Sequence, residues 1–175
     1  MTLIILSEGI DLSMGALLTL ANVVLASLVI KFGVLWPAFL LVLIMCAFFG
    51  WANGLIISKL HIPPFVATLG TLGIAQGGAL LVTDGQSVVG IPPEILYFYS
   101  GEWMGMAMPF WIAIVACAVF HVLLSHTPWG NHVIALGGNR EALTLAGIKA
   151  DWVLISVYVL SGVMCAIAAV LLTAR

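Results

Sequence analysis

Charge is what this sequence lacks most: it has five basic and seven acidic side chains in 175 residues, 7% of the chain. A water-soluble domain of this size carries about a quarter charged residues. With 63% hydrophobic residues and a mean hydropathy of +1.26, the chain has too little polar surface to wrap a core in water. A basic patch that would attract nucleic acid is also missing, so no nucleic-acid partner is expected. Catalytic signatures are absent too. There is no G-x-x-x-x-G-K-[ST] phosphate loop and no G-x-S-x-G elbow. His121, the one histidine inside an apolar run, reads as a packed, hydrogen-bonded residue. Cys46, Cys117 and Cys165 lie in apolar runs without a second Cys or His at ligand spacing. They read as small packing residues, and neither a metal nor a cofactor is expected in this chain.

What is present is a series of long apolar runs. Leu12 to Ile30 holds no charged residue and, at about 1.5 Å per residue, covers roughly the 30 Å hydrocarbon layer. Trp36 to Ile57, Ile62 to Val82, Met106 to Leu124 and Trp152 to Thr173 behave alike. The expected fold is an all-α, polytopic transmembrane bundle of about five segments, a single membrane domain over residues 1–175. No Asp, Glu, Lys or Arg lies inside these runs, which argues against an intramembrane proton or ion relay. Met1 to Leu6 lacks the basic region of a signal peptide, and Glu8 and Asp11 follow at once. The loop from Asp84 to Gly105 carries only acids, while that from Ser125 to Asp151 carries Arg140 and Lys149. The positive-inside rule therefore puts the first outside and the second in the cytoplasm, with Lys59 and His61 on the cytoplasmic side as well. Lys31 and Arg175 fall outside and oppose that threading. Tyr97, Phe98, Tyr99 and Trp103 suit an outer interfacial belt.

Two G-x-x-x-G patterns, Gly50 to Gly54 and Gly73 to Gly77, allow close helix approach where lipid supplies no hydrophobic drive. Each holds a polar side chain, Asn53 or Gln76, which acts as glue between helices or as a solute contact. From His61 the chain runs through Pro63 and Pro64 into alternating small, hydroxyl and glycine residues that include Thr68 and Thr71. Two architectures fit: a broken or re-entrant segment lining a cavity, or a helix starting at the prolines. Upstream, Asp11 is placed as an N-cap before an apolar helix, and Gly9 to Ser13 reads as an interruption between two helical pieces.

The most specific local signal is Leu136-Gly137-Gly138-Asn139-Arg140-Glu141-Ala142-Leu143-Thr144-Leu145-Ala146-Gly147. Asn139 is a good N-cap, Glu141 puts an acid in the first turn, and Gly147 is a natural left-handed stop. These residues specify a helix of about two turns, with Ala142, Leu143, Leu145 and Ala146 as its apolar side. Too short to stand alone, it needs something to lean on.

Four motifs in order, Gly9-Ile10-Asp11-Leu12-Ser13 with Gly15, Asn53-Gly54-Leu55-Ile56-Ile57, Ile62-Pro63-Pro64-Phe65-Val66-Ala67-Thr68-Leu69-Gly70, and Ala135-Leu136-Gly137-Gly138-Asn139 through Ile148, resemble one family. It is the permease subunits of ABC-type monosaccharide importers, the ribose, xylose and galactose group. The resemblance implies a transporter subunit rather than an enzyme, and the central part of a longer permease in which Met1 is an internal methionine. Such a permease sits in the bacterial inner membrane and pairs with a second permease subunit, as a homodimer or heterodimer. It receives sugar from a periplasmic binding protein and is driven by cytoplasmic ATPase subunits that hold ATP and Mg. In this frame the short helix is a coupling helix. Gly137, Gly138, Asn139, Arg140, Glu141, Ala142 and Gly147 would meet the ATPase, with Leu143 departing from the usual Glu-Ala-Ala. The translocation pathway would draw on Asp11, Ser13, Asn53, Pro63, Pro64, Thr68, Thr71 and Gln76. A branched-chain amino acid or other small-solute permease, or a membrane scaffold without a transport path, are the alternatives.

Overall fold

A computed structural model describes the backbone of residues 1–175 and every side chain except that of Glu94. The chain folds as α1 (Thr2–Leu6), α2 (Met14–Phe32), α3 (Leu35–Leu60), α4 (Pro64–Thr83), α5 (Pro93–Ser100), the strand pair β1 (Glu102–Trp103) and β2 (Met106–Ala107), α6 (Met108–His126), α7 (Pro128–Gly138), α8 (Arg140–Leu145) and α9 (Ala150–Thr173). Five of these, α2, α3, α4, α6 and α9, are long and apolar enough to cross a membrane. They match the five apolar runs to within a few residues. Residues expected in the acidic loop form α5 and a two-stranded hairpin, and Met106 and Ala107, expected at the start of a span, are its second strand.

α3 shows how the bundle is held together. Trp36, Leu40, Ile44, Phe48 and Trp51 are exposed, whereas Ala38, Val42, Cys46, Gly50, Asn53 and Gly54 are buried. Both faces are apolar, so the helix is sorted by side-chain size: bulky groups face outward and small ones face the neighbouring helix. That sorting suits lipid, where attraction between helices comes from close packing rather than from escape from water. The neighbour is α9. A Cβ on Gly50 would strike the Tyr158 carbonyl, one on Gly54 would lie 2.8 Å from the Ile155 Cα, and one on Gly162 would strike the Cys46 carbonyl. The α3–α9 pair is thus in backbone contact along three turns and forms the spine of the fold.

α2 lies against this spine through Leu17, Ala21, Leu25 and Val29, which meet Val42, Cys46, Cys165, Ala166 and Ala169. α4 packs on α2 where Ala75 and Ala79 meet Leu20. α6 stands apart with no buried residue. At one end of the spine Asp151 pairs with Lys59 at 2.8 Å and with Arg140 at 2.6 Å, bringing α3, α8 and α9 together. Lys59 and Arg140 therefore share a side of the bundle, as the threading of positive charges requires.

Candidate coupling surface and translocation pathway

The short loop helix forms as its sequence specifies. Pro128 occupies the first turn of α7, and Thr127 caps it by accepting from the Gly130 amide at 3.2 Å. Asn139, in extended conformation at φ −161°, ends α7 and opens α8, its Oδ1 accepting from the Ala142 amide at 2.9 Å. At the far end the Gly147 amide donates to Thr144 and the Ile148 amide to Leu143, with Gly147 at φ +80°. That pair of bonds is a Schellman stop, which explains why glycine stands there. Leu143 alone is buried, against a core that includes Val133, Leu136, Ala150 and Leu154. Glu141, Ala142, Thr144 and Ala146 are exposed, and Leu145 is 89% exposed. The expected apolar side is therefore split: Leu143 anchors the helix, and Ala142, Leu145 and Ala146 remain free. Gly137 and Gly138 lie in the last turn of α7 rather than in a loop. A side chain on Gly137 would collide with the Leu6 carbonyl, so this glycine seats α7 against the end of α1. Arg140 is turned back onto Asp151, which makes it a positioning group for α8.

The second region is the break between α1 and α2. Glu8 adopts φ 59°, and the Gly9 amide returns to the Ile4 carbonyl at 2.8 Å, closing α1. Asp11 does not cap α2 as expected. Its Oδ1 accepts from the Ser13 amide at 2.8 Å and the Ser13 hydroxyl at 2.6 Å, and Ser13 stands at the N-cap position of α2 without a side-chain capping bond. A carboxylate followed two residues later by serine closes a local Asx-type turn, which competes with capping. Asn53 Nδ2 donates to Ser13 Oγ at 3.3 Å, and Thr68 Oγ1 accepts from the Leu12 amide at 3.1 Å. Asn53 lies about two turns, roughly 10 Å, inside the end of α3, so this polar knot is set against the body of a helix long and apolar enough to cross a membrane. Irregular backbone is tolerated there because α3, α4 and α9 enclose it and Thr68 satisfies its backbone groups.

Asp11, Ser13, Asn53 and Thr68 are thus brought together and buried. Thr71 is buried one turn along α4 and bonded to its own helix through Thr68 O at 3.0 Å. Pro63 and Pro64 start α4, which runs unbroken to Thr83, so the break in the helical run belongs to residues 7–13 and not to the segment after the prolines. Gln76 is separate, exposed beside Thr19 and Asn22. Sequence reasoning missed Tyr158, whose hydroxyl is buried, unpartnered and pressed toward Gly9. It also missed Asn22, whose Oδ1 accepts from the Thr173 hydroxyl at 2.6 Å. A lone Tyr and a lone Asn in apolar runs were the signals that could have found them. Asp151, just ahead of the last run, was a third.

The chain is 36% identical over 177 residues to the ribose import permease protein of Bacillus subtilis, covering 100% of this chain and 55% of that protein. To the L-arabinose transport system permease protein of Escherichia coli K12 it is 33% identical over 170 residues, covering 97% and 52%. To the fructose import permease protein of Rhizobium meliloti it is 32% identical over 179 residues, covering 95% and 49%. The chain therefore spans about half the length of the curated relatives it matches. No solved structure matches it. The family match runs over residues 1–175, through the intramembrane break and the capped loop helix alike, and the chain belongs to the family described as "Branched-chain amino acid transport system / permease component".

Proposed function

We propose that this chain is a membrane-spanning part of a permease subunit of an ATP-driven ABC importer that carries a small sugar across the bacterial inner membrane. The observation that carries the reading is α8: a helix capped at both ends, with Leu143 as its buried residue and Glu141, Ala142 and Leu145 free at one end of the bundle. A rigid, half-bare helix of this kind suits insertion into a groove on a cytoplasmic ATPase, where ATP and Mg would be held. Asn139 and Gly147 keep it rigid, and Arg140, through Asp151, ties it to α9 and to Lys59 at the end of α3. A push on α8 then reaches the spine directly, and the helices rock between two openings.

On this reading Gly137 belongs to the mechanical link, because it seats α7 on α1, while Gly138, exposed and with open space beside it, stays with the ATPase contact. Asp11, Ser13, Asn53, Thr68 and Thr71 would form the pathway wall at membrane depth, while Pro63 and Pro64 set the start of α4. A second permease subunit and a periplasmic sugar-binding protein complete the machine. A sugar is favoured as cargo over a branched-chain amino acid because the relatives are named for ribose, L-arabinose and fructose.

The test is reconstitution of the complete permease with its ATPase and binding protein in lipid vesicles, comparing wild type with Glu141→Arg. Assembly should persist while uptake falls steeply. Intact coupled uptake in Glu141→Arg and after wider disruption of residues 139–147 would make the loop a connector only.

A further inference from the structure

A polar cavity lies at the end of the bundle remote from α8. It is a space of about 510 Å³ between α2, the end of α4 and the loop that follows it. That volume is in the range of about 300–1,000 Å³ usual for small-molecule pockets. Its polar wall is made of Thr19 and Asn22 from α2, Gln76 and Thr83 from α4, and Gln86 and Ser87 from the loop. These are amides and hydroxyls rather than acids, and among the described residues Arg175 is the single charged one lining it. Gln76 stands two turns before the end of α4, so the cavity reaches roughly 10 Å into the bundle.

We propose that this cavity is a chamber for a neutral polyol, a site distinct from the knot around Asp11. The proposal rests on the reading of the chain as part of a sugar permease and names where the solute is held before it meets the intramembrane break. Polar residues in apolar helices are costly unless paired or facing a wet cavity, and α2 and α4 direct theirs into one space. Asn22 is also oriented. Its side-chain amide meets the Thr173 hydroxyl, which also lies 2.8 Å from the Ala169 carbonyl, and this contact holds the amide at the cavity wall. Thr19 and Thr83 donate their hydroxyl protons to the Gly15 and Ala79 carbonyls at 3.1 Å each, leaving their oxygens as acceptors. The wall thus offers amides, which donate and accept, beside two hydroxyl oxygens left as acceptors, and this suits a sugar whose every hydroxyl both donates and accepts.

The experiment uses the complete permease with its ATPase and binding protein in vesicles, with radiolabelled D-ribose, L-arabinose, D-fructose and L-leucine as separate probes. Uptake is expressed per assembled complex. Gln76→Leu removes a polar group from an exposed position and leaves the packing alone. It is expected to lower uptake of the carried sugar by about tenfold and to change the ratio between sugars. Gln76→Trp fills the chamber and is expected to abolish uptake. If both variants carry every sugar at the wild-type rate, the chamber assignment is overturned while the permease reading stands. If the wild type carries L-leucine and no sugar, the sugar reading itself fails and the polyol assignment falls with it.

Discussion

The two G-x-x-x-G patterns look equivalent in sequence and do opposite things in the structure. Gly50 and Gly54 are buried in backbone contact with α9, and Asn53 between them bonds to Ser13. Gly73 and Gly77 face open space, where a Cβ would meet nothing within 4 Å, and Gln76 between them is exposed on the cavity wall. The difference teaches that a small-residue stripe permits close approach without creating it. What selects the first pair is the complementary surface on α9, where Ile155, Tyr158 and Gly162 offer backbone at the matching heights.

The strongest way to break this comparison is to add bulk to both pairs. Gly50→Leu forces α3 away from the Tyr158 backbone and is expected to cost more than about 3 kcal/mol, beyond ordinary overpacking. Monodisperse protein should be lost on size-exclusion chromatography, while Gly73→Leu should elute as wild type. Next in size are the polar members. Asn53→Leu breaks the bond to Ser13 at the intramembrane break and should destabilise by about 1–2 kcal/mol, seen as a lower thermal unfolding midpoint in detergent. Gln76→Leu, with no packing to lose, should leave that midpoint within about 0.5 kcal/mol of wild type. A gain is expected from Gly73→Ala, which meets no neighbour and removes a helix-interior glycine, for about 0.5–1 kcal/mol of added stability. Gly50→Ala in the same assay should move the other way. The smallest effect belongs to Tyr158→Phe, which deletes an unpartnered buried hydroxyl and should be neutral or slightly stabilising in the same melt. A clear loss there would show that the hydroxyl has a partner at the break.

The legible parts of this protein were those with a local cause. Asn139 and Gly147 each act within a few residues of themselves, so the start of α8 and its left-handed stop could be read directly, while Pro63 and Pro64 left two architectures open until α4 was seen to start at Pro64. Asp11 was legible as a polar interruption but misplaced as a cap, because Ser13 two residues later offers its carboxylate a shorter-range partner. Of the candidate pathway residues, Asn53 and Thr68 meet the break as a set, but Gln76 does not, since its neighbours Asn22 and Thr19 lie on a different helix. Gly137, read as part of a docking loop, turned out to seat α7 on the Leu6 carbonyl.

The sequence by itself determined that the chain crosses a bilayer as a set of apolar helices, where α8 begins, and that a capped helix stands between the last two spans. Those features follow from transfer of apolar side chains into lipid and from backbone groups satisfied within a turn. Only the tertiary structure decided which face of each helix is covered, which glycine pair is used, and that Lys59, Arg140 and Asp151 share one site. In lipid both faces of a helix are apolar, so hydrophobic periodicity carries no facing signal. Facing is set by the fit of side-chain sizes and by hydrogen bonds between residues far apart in the chain.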